Sequence, residues 1–206
     1  MRAVIISGGR IDDYGYIKKQ LGQFGADLFI CADRGYSHAV KLGLAVSVVV
    51  GDFDSAGDIP AGVRTVRYPA EKNHTDTELA LAHAREAGAR ELLIVGATGG
   101  RADHMLANIF LIKSCLERGE DAEIIDEHNR IKITETRLEI KGGEGVTVSL
   151  VPLCDCVGVT TEGFRYPLMN EILRFGEGRG VSNVMTGETA QVSLKGGTVL
   201  VITARD

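Results

Sequence analysis

The sequence predicts an α/β protein in which an open, mainly parallel sheet with flanking helices is followed by a smaller antiparallel β-sandwich. In residues 1–126, short apolar segments alternate with segments of helical spacing, which is typical of parallel strands joined by helices. From residue 130 onward, only short alternating segments remain, separated by glycine-rich turns. We therefore predict two domains, a Rossmann-like domain at residues 1–127 and a β-sandwich at residues 128–206.

The strands predicted in the first domain are apolar segments that end in glycine or polar residues. These segments are residues 3–7, 28–32, 46–50, 63–68, 92–95 and 123–126. Helical spacing predicts the intervening helices at residues 13–24, 35–42, 76–86 and 103–118. In the second domain, strands are predicted at residues 131–134, 138–140, 146–151, 157–160, 190–194 and 199–203.

Two of these helices carry an additional pattern. Thr75 and Glu78 match the capping box, in which the first residue accepts a backbone hydrogen bond and the second reaches back. The apolar stripe behind this box comprises Leu79, Ala80, His83, Ala84 and Ala87. The helix at 103–118 carries Leu106, Ile109, Phe110, Lys113 and Leu116 at the spacing of one face.

Composition restricts the classes of function. A net charge of −5 argues against an extended basic surface for nucleic acid, although a local basic patch for phosphates is compatible with it. The apolar run at the amino terminus is too short for a secretory segment, and no stretch reaches the length of a membrane span. We therefore expect a cytoplasmic protein. The four cysteines lack the spacing of a metal site or a disulfide framework, which favours reduced thiols.

The strand at 46–50 ends in two carboxylates, Asp52 and Asp54, directly after Gly51. In extended geometry, residues two apart point to the same side, so both carboxylates can converge on one divalent cation. Phe53 would then point back into apolar surroundings. The alternative is a solvated turn in which the acids cap backbone groups.

Polar and glycine residues follow the carboxyl end of each of the first five strands. They are Gly8, Gly9, Asp33, Asp52, Asp54, Thr75, Asp76, Gly99, Gly100, Arg101 and Asp103. Ligands of open parallel sheets bind at this edge, where loops and helix amino termini meet. Carboxylates gathered there would repel one another unless a cation were shared, so we infer magnesium together with a nucleotide.

The turn at residues 96–101 supports this inference. Its three glycines allow backbone N–H groups to approach a polyphosphate, and Arg101 offers a forked donor. The turn matches neither a Walker A loop nor the dinucleotide fingerprint, and an ordinary strand-to-helix connection explains it as well. Lys72 is either a phosphate contact or a solvated charge. For Asp33, Asp76 and Asp103, helix capping is the alternative, and His104 is expected to pack or to form a structural hydrogen bond.

Three motifs together resemble the thiamine pyrophosphokinase family: GDFDS at 51–55, KNHTDTELAL at 72–81 and GATGGRADHMLAN at 96–108. In the carboxyl-terminal part, GFRYPLMNEILRFG at 163–176 and VSN at 181–183 are similar to the thiamine-binding domain of that family. The resemblance spans nearly the whole chain in the right order. Two positions depart from the family pattern, because Arg34 and Asn73 stand where Gly and Asp are usual.

The resemblance implies a transferase that moves a pyrophosphoryl group from ATP to the hydroxyethyl oxygen of thiamine, giving thiamine diphosphate and AMP. It also implies a homodimer with thiamine between the α/β domain of one subunit and the β domain of the other. In this chain, Asp52, Asp54 and Asp103 would hold Mg²⁺ and the phosphates, with Asp76 near the metal and the reacting hydroxyl. The remaining implied contacts are Gly8, Gly9, Asp33, Lys72, Thr75, Gly99, Gly100 and Arg101 for ATP, and Tyr166, Ser182 and Asn183 for thiamine.

Two other functions are compatible with these residues. A pyrophosphokinase for another heterocyclic alcohol, such as a pterin, would use the same acidic edge with a different acceptor pocket. A non-catalytic sensor of thiamine or nucleotide would keep the fold without turnover. From patterning alone, Tyr166 and Ser182 are also compatible with sandwich packing and turn capping.

Overall fold

A computed structural model of the chain describes residues 1–53, 59–69, 71 and 73–205. The chain divides into two compact units, Met1–Glu127 and His128–Asp206. An α/β unit comes first and an all-β unit second, so the predicted fold class is confirmed. Two predicted site residues, Asp54 and Lys72, lie outside the described residues.

In its described residues, the first unit alternates six strands with four helices. The strands are β1 (Arg2–Ile6), β2 (Leu28–Ala32), β3 (Val48–Gly51), β4 (Thr65–Arg67), β5 (Glu91–Val95) and β6 (Asp121–Ile125). The helices are α1 (Tyr14–Phe24), α2 (Gly35–Leu42), α3 (Asp76–Glu86) and α4 (Ala102–Glu117). Each element corresponds to a predicted one, with ends that differ by a few residues.

The six strands form a parallel sheet in the order β4-β3-β2-β1-β5-β6. Along the chain, β2, β3 and β4 are added on one side of β1, and β5 and β6 are then added on its other side. The strand order therefore reverses between β1 and β5, where Val4 pairs with Phe29 on one side and with Leu93 on the other. In sheets of this type, the reversal opens a crevice at the carboxyl ends of the two strands.

Local chemistry explains where three of the helices begin. Asp13 caps α1 by accepting from the backbone N–H of Tyr16 at 2.8 Å. At the start of α2, a Cβ on Gly35 would lie 1.8 Å from the carbonyl oxygen of Ile6, so the helix reaches the end of β1 because this residue lacks a side chain. Thr75 caps α3 as predicted and accepts from the N–H of Glu78 at 3.2 Å.

The buried face of helix α4 is not the face that its apolar spacing predicts. Its buried residues are Asn108, Ile112 and Cys115, whereas Leu106 is 48% and Phe110 50% exposed. This helix therefore leaves apolar side chains at the surface of its unit. In the described part of the chain, no helix combines the length and the apolar character needed to cross a membrane.

In the second unit, antiparallel strands are ordered β12-β9-β14-β7 in one sheet and β11-β10-β13-β8 in another. Its strands are β7 (Asn129–Thr134), β8 (Arg137–Lys141), β9 (Thr147–Pro152), β10 (Cys156–Glu162), β11 (Glu171–Leu173), β12 (Asn183–Val184), β13 (Thr189–Ser193) and β14 (Val199–Ala204). One apolar cluster joins both sheets, including Leu150 and Val201 from one and Val159 and Val192 from the other. The sequence did not predict β11 and β12, which are three and two residues long.

Candidate functional site

Most of the predicted site residues of the first unit follow the carboxyl ends of its strands. Gly8 and Gly9 come after β1, Asp33 after β2 and Asp52 after β3. Because all six strands are parallel, these ends lie at one edge of the sheet. Gly99, Gly100 and Arg101 leave β5 at the same edge, and Thr75 and Asp76 open α3 after β4.

The loops after β1 and β5 touch directly at the reversal of strand order. The N–H of Gly9 donates to the carbonyl oxygen of Gly96 at 2.7 Å. A Cβ on Gly9 would lie 2.4 Å from that oxygen and 2.6 Å from the carbonyl oxygen of Thr98. The two loops can approach this closely only because Gly9 has no side chain.

Buried polar side chains hold the turn after β5 from behind. The Thr98 hydroxyl donates to the Asp126 carboxylate at 2.7 Å, and the Asn108 amide donates to the carbonyl oxygen of Ala97 at 2.9 Å. All four residues are buried. Sequence reasoning missed Thr98, Asn108 and Asp126 as parts of the site, because their partners lie 28 and 11 positions away along the chain.

The loop between β1 and α1 also has supports that sequence reasoning missed. The carboxylate of Glu127 accepts from the backbone N–H groups of Asp12 and Asp13. The half-buried His38 ring hydrogen-bonds to the Tyr14 hydroxyl at 2.7 Å and to the backbone of Gly9. Burial lowers the pKa of His38 below its usual value.

Arg101 and Asp103 form a two-pronged ion pair at the start of α4. The Nε–Oδ1 distance is 3.1 Å and the Nη2–Oδ2 distance is 2.5 Å, with both side chains exposed. The hydrogen bond from Arg101, helped by the backbone N–H of His104, lowers the pKa of Asp103 to about 2. Asp103 is therefore held as a carboxylate, with both oxygens hydrogen-bonded to Arg101.

At the carboxyl ends of β2 and β3, Asp33 contacts the backbone of Val50 and Gly51, the residues that precede Asp52. The N–H of Asp33 donates to the carbonyl oxygen of Val50 at 2.8 Å, and a Cβ on Gly51 would lie 3.0 Å from the Asp33 Cβ. Asp33 is buried and has a left-handed backbone with φ 43°. Non-glycine residues in this region are uncommon and often occur at functional sites.

The prediction that an extended backbone turns Asp52 and Asp54 to the same side is wrong. The strand ends at Gly51, and Phe53 has a left-handed φ of 64° instead of an extended backbone. The Phe53 ring does pack against the apolar core of the first unit, as expected, with the Arg67 guanidinium 5.3 Å from its centroid. Asp54 lies outside the described residues.

The amino terminus of α3 is tied to the end of β1. The hydroxyl groups of Ser7 and Thr77 are 2.9 Å apart and buried, directly beside Asp76 and Gly8 in the sequence. This hydrogen bond brings the first turn of α3, including Asp76, to the edge that carries the crevice. The half-buried side chain of Asp76 belongs to that first turn.

Across the described residues, no group of three His, Cys, Asp or Glu side chains is arranged to hold a metal ion. Mg²⁺ usually takes one or two carboxylates from a protein and completes its shell with water and substrate phosphates. Asp52 after β3 and Asp103 in the first turn of α4 are carboxylate side chains at this edge.

In the second unit, the three predicted thiamine contacts lie near one another around β12, although Tyr166 is distant in sequence from Ser182 and Asn183. The Asn183 side chain accepts from the N–H of Tyr166 at 3.1 Å and donates to its carbonyl oxygen at 2.7 Å. These two bonds fix the backbone of Tyr166, a residue that is 65% exposed. Ser182 has a left-handed φ of 59°, and its N–H donates to the Ser149 hydroxyl at 3.0 Å.

Comparison with known families covers both units. The model described as "Thiamin pyrophosphokinase, catalytic domain" matches residues 23–125, and the model described as "Thiamin pyrophosphokinase, vitamin B1 binding domain" matches residues 128–199. The chain belongs to the thiamin pyrophosphokinase family. A curated thiamine pyrophosphokinase of Bacillus subtilis (strain 168) is 30% identical over 188 residues, which cover 87% of this chain and 88% of the relative.

Solved structures of this family have the same fold. A thiamine pyrophosphokinase structure from Bacillus subtilis superposes with a TM-score of 0.88 at 27% identity, covering all of both chains. One from Geobacillus thermodenitrificans superposes with a TM-score of 0.83 at 27% identity, covering 100% of this chain and 98% of the other. The thiamin pyrophosphokinase match spans the edge residues from Asp33 to Asp103 and the loops around Tyr166 and Asn183, whereas Gly8 and Gly9 precede it.

The two departures from the thiamin pyrophosphokinase pattern lie in different surroundings. Arg34 is exposed at the carboxyl edge of the sheet, and a Cβ on Gly8 would lie 2.7 Å from its Cβ. Its side chain therefore begins at the crevice. Asn73 is exposed two residues before the cap of α3.

Proposed function

We propose that this protein is an ATP-dependent thiamine diphosphokinase, which transfers the pyrophosphoryl group of ATP to the hydroxyethyl oxygen of thiamine and releases AMP. The observation that carries the proposal is the match of a catalytic and a vitamin B1 binding family model to successive parts of the chain. The chemistry of each unit supports it. A charged crevice suits a polyphosphate, and exposed aromatic and amide groups suit a heterocycle.

The triphosphate of ATP is proposed to bind at the crevice between β1 and β5. Backbone N–H groups of the glycine loops and the amino terminus of α4 favour anionic oxygens. The residues assigned to ATP are Gly8, Gly9, Asp33, Lys72, Thr75, Gly99, Gly100 and Arg101. Contacts that support the crevice are the bond between Gly9 and Gly96 and the bonds that hold the turn after β5.

Asp52, Asp54 and Asp103 are the proposed carboxylates for Mg²⁺, and the ionised state of Asp103 supports its assignment. When bound, the ion would neutralise charge on the phosphate oxygens and leave the β-phosphorus open to attack. Arg101 pairs with Asp103 in the chain and would turn its fork to a phosphate when Asp103 takes up the ion.

In the transfer step, the thiamine hydroxyl oxygen attacks the β-phosphorus, the bond from that phosphorus to the bridging oxygen of AMP breaks, and the hydroxyl proton is lost. Positioning and charge neutralisation supply most of the catalysis in such reactions. Asp76 is proposed to lie near the attacking oxygen and to accept its proton. The buried hydrogen bond between Ser7 and Thr77 supports this role, because it fixes the turn that carries Asp76.

Thiamine is proposed to bind in the second unit, with one ring stacked on Tyr166 and hydrogen bonds from Ser182 and Asn183. The exposed ring of Tyr166 supports the assignment, since stacking needs an accessible aromatic face. Asn183 already uses its amide to hold the Tyr166 backbone. Its contribution to thiamine binding is thus to present the tyrosine as well as to touch the ligand.

A homodimer is the proposed assembly, with thiamine held between the first unit of one subunit and the second unit of the other. Exposed apolar side chains support a partner surface in both units. Leu106 and Phe110 lie on α4 close to Asp103 in sequence, and Met169 and Phe175 follow Tyr166. Phe110→Glu should lower the molar mass measured by light scattering to that of a monomer. Val40→Glu, at an exposed apolar position on α2, is the control.

The direct test of the function is the formation of AMP and thiamine diphosphate from ATP and thiamine by the purified full-length chain, followed by chromatography. A hydroxymethylated pterin in place of thiamine tests acceptor choice. Product with thiamine and none with the pterin supports the proposal. Binding of both substrates without AMP formation would instead indicate a sensor. Cytoplasmic location stays a prediction from the sequence.

A further inference from the structure

The turn between β5 and α4 has two halves with different environments. Residues 96–98 are buried, whereas Gly99, Gly100 and Arg101 are exposed. Gly96, Gly99 and Gly100 all have left-handed backbones, with φ of 64°, 80° and 74°. A segment so rich in glycine has a large conformational freedom to lose, so its exposed half is held in one conformation only if the buried half is anchored.

Each residue of the buried half is anchored by a different element. Gly96 accepts from the loop after β1, Ala97 accepts from the Asn108 amide on α4, and Thr98 donates to the carboxylate of Asp126 after β6. The distances are 2.7, 2.9 and 2.7 Å. Only the first of these bonds is between backbone groups, so the other two depend on side-chain identity.

We propose that Thr98, Asn108 and Asp126 are positioning residues, which act through the buried half of the turn to set the exposed N–H groups of Gly99 to Arg101 for the phosphates of the nucleotide. The inference rests on the proposed binding of ATP at this turn. None of the three side chains needs to touch the ligand. Their hydrogen bonds order the turn when the chain folds. The conformational entropy of the turn is then already lost before nucleotide binds, so this loss does not reduce the affinity for nucleotide.

The bond between Thr98 and Asp126 offers a matched pair of variants. Thr98→Val keeps the shape of the side chain and removes the donor, whereas Thr98→Ser keeps the donor and removes a methyl group. Since valine has no hydroxyl, Thr98→Val also takes this hydrogen-bond donor away from the Asp126 carboxylate. Asn108→Ala provides a second test at an independent anchor, in case the valine variant does not fold.

The measurement is the calorimetric dissociation constant of full-length protein for α,β-methylene-ATP with Mg²⁺, an analogue in which the bond to be broken is blocked. We expect Thr98→Val and Asn108→Ala to weaken binding about tenfold, the loss typical of one well-formed hydrogen bond. Thr98→Ser should stay within about twofold of the wild-type value. The affinity for thiamine should be unchanged in all three variants.

The outcomes separate positioning from simple structural support. A structural role would reduce the binding stoichiometry through unfolded protein and leave the dissociation constant of the folded fraction unchanged. Wild-type affinity in folded Thr98→Val and Asn108→Ala, equal loss in Thr98→Ser, or equal loss of thiamine affinity would each overturn the inference. Wild-type protein that fails to bind the analogue would overturn it as well. Wild-type protein that binds the analogue but forms no AMP would contradict the proposed function alone.

Discussion

The two candidate binding regions of this protein are built in opposite ways. The edge of the first unit presents charged groups and glycine backbone, and buried polar side chains such as Thr98 and Asp126 hold it from behind. The loops around β12 in the second unit present apolar side chains, and Asn183 holds the backbone at Tyr166. One region is suited to a polyphosphate and the other to an aromatic ring.

Under the proposed function, this difference divides the recognition of two unlike substrates between the two units. A parallel sheet gathers loop N–H groups and helix amino termini at one edge, so it provides positive potential without many lysines. An antiparallel sandwich has no such convergence, and its loops contribute side-chain area instead. Substitutions at the proposed ATP and metal residues of the first unit should therefore affect nucleotide chemistry, and those at the loops around β12 should affect thiamine affinity.

The largest effect is expected at the acidic edge. Asp103→Asn and Asp54→Asn should each lower kcat about 1,000-fold, because each removes a proposed ligand charge next to the reacting phosphates. Steady-state measurement of AMP formation gives the rate, and circular dichroism checks that the fold is retained.

A matched control comes from the opposite edge of the same sheet. Asp27 is exposed and accepts from the backbone N–H of Arg2 at 2.9 Å, before β2 begins. Asp27→Asn should leave kcat within about twofold of wild type. Near-wild-type activity in both Asp103→Asn and Asp54→Asn would contradict the assignment of the metal ligands.

In the second unit, Tyr166→Ala should raise the KM for thiamine about tenfold, the effect of losing one ring stack. Tyr166→Phe keeps the ring and should retain a wild-type KM, because stacking does not require the hydroxyl. The KM for ATP should not change in either variant. A rise in both KM values, or an equal rise for Phe and Ala, would remove the distinction between the two regions.

Local sequence signals predicted the elements well and the side-chain environments less well. In α3, the capping box and the apolar stripe predict both the bounds and the buried Leu79, Ala80 and Ala84. In α4, the same reasoning predicts the helix but not its buried face, which contains Asn108. That asparagine is buried because it serves the turn before the helix, a long-range requirement that hydrophobic spacing does not express.

The site shows the same limit. The placement of glycines and acids at the ends of the strands follows from the order of elements, which the sequence gives clearly. The left-handed backbone at Phe53 does not follow, since bulky residues rarely adopt it. Nor do the partners of Thr98 and His38, because hydrogen bonds between distant elements leave no periodic pattern. The strands β11 and β12 are too short for alternation to show.

A smaller effect is expected at Ser182, where function and stability should change in opposite directions. Glycine adopts the left-handed backbone of this position at lower cost, so Ser182→Gly should stabilise the protein by up to about 1 kcal/mol. It also removes the hydroxyl proposed to bind thiamine and should raise the KM for thiamine a few-fold, roughly the loss of one hydrogen bond. Urea denaturation and steady-state kinetics measure the two quantities. An unchanged KM would show that Ser182 acts only as a turn residue.

The smallest effect should separate the two regions by pH. Burial holds the pKa of His38 below its ordinary 6.5. The unfolded chain therefore takes up this proton before the folded chain does, and stability falls as the pH drops from 6.5 to the folded pKa and then levels off. His38→Gln should flatten this part of the dependence when urea midpoints are compared between pH 5 and 8. Parallel wild-type and variant curves would contradict it. Because the ring bonds to the backbone of Gly9 in the first unit, thiamine affinity should follow the same pH curve in the wild type and the variant.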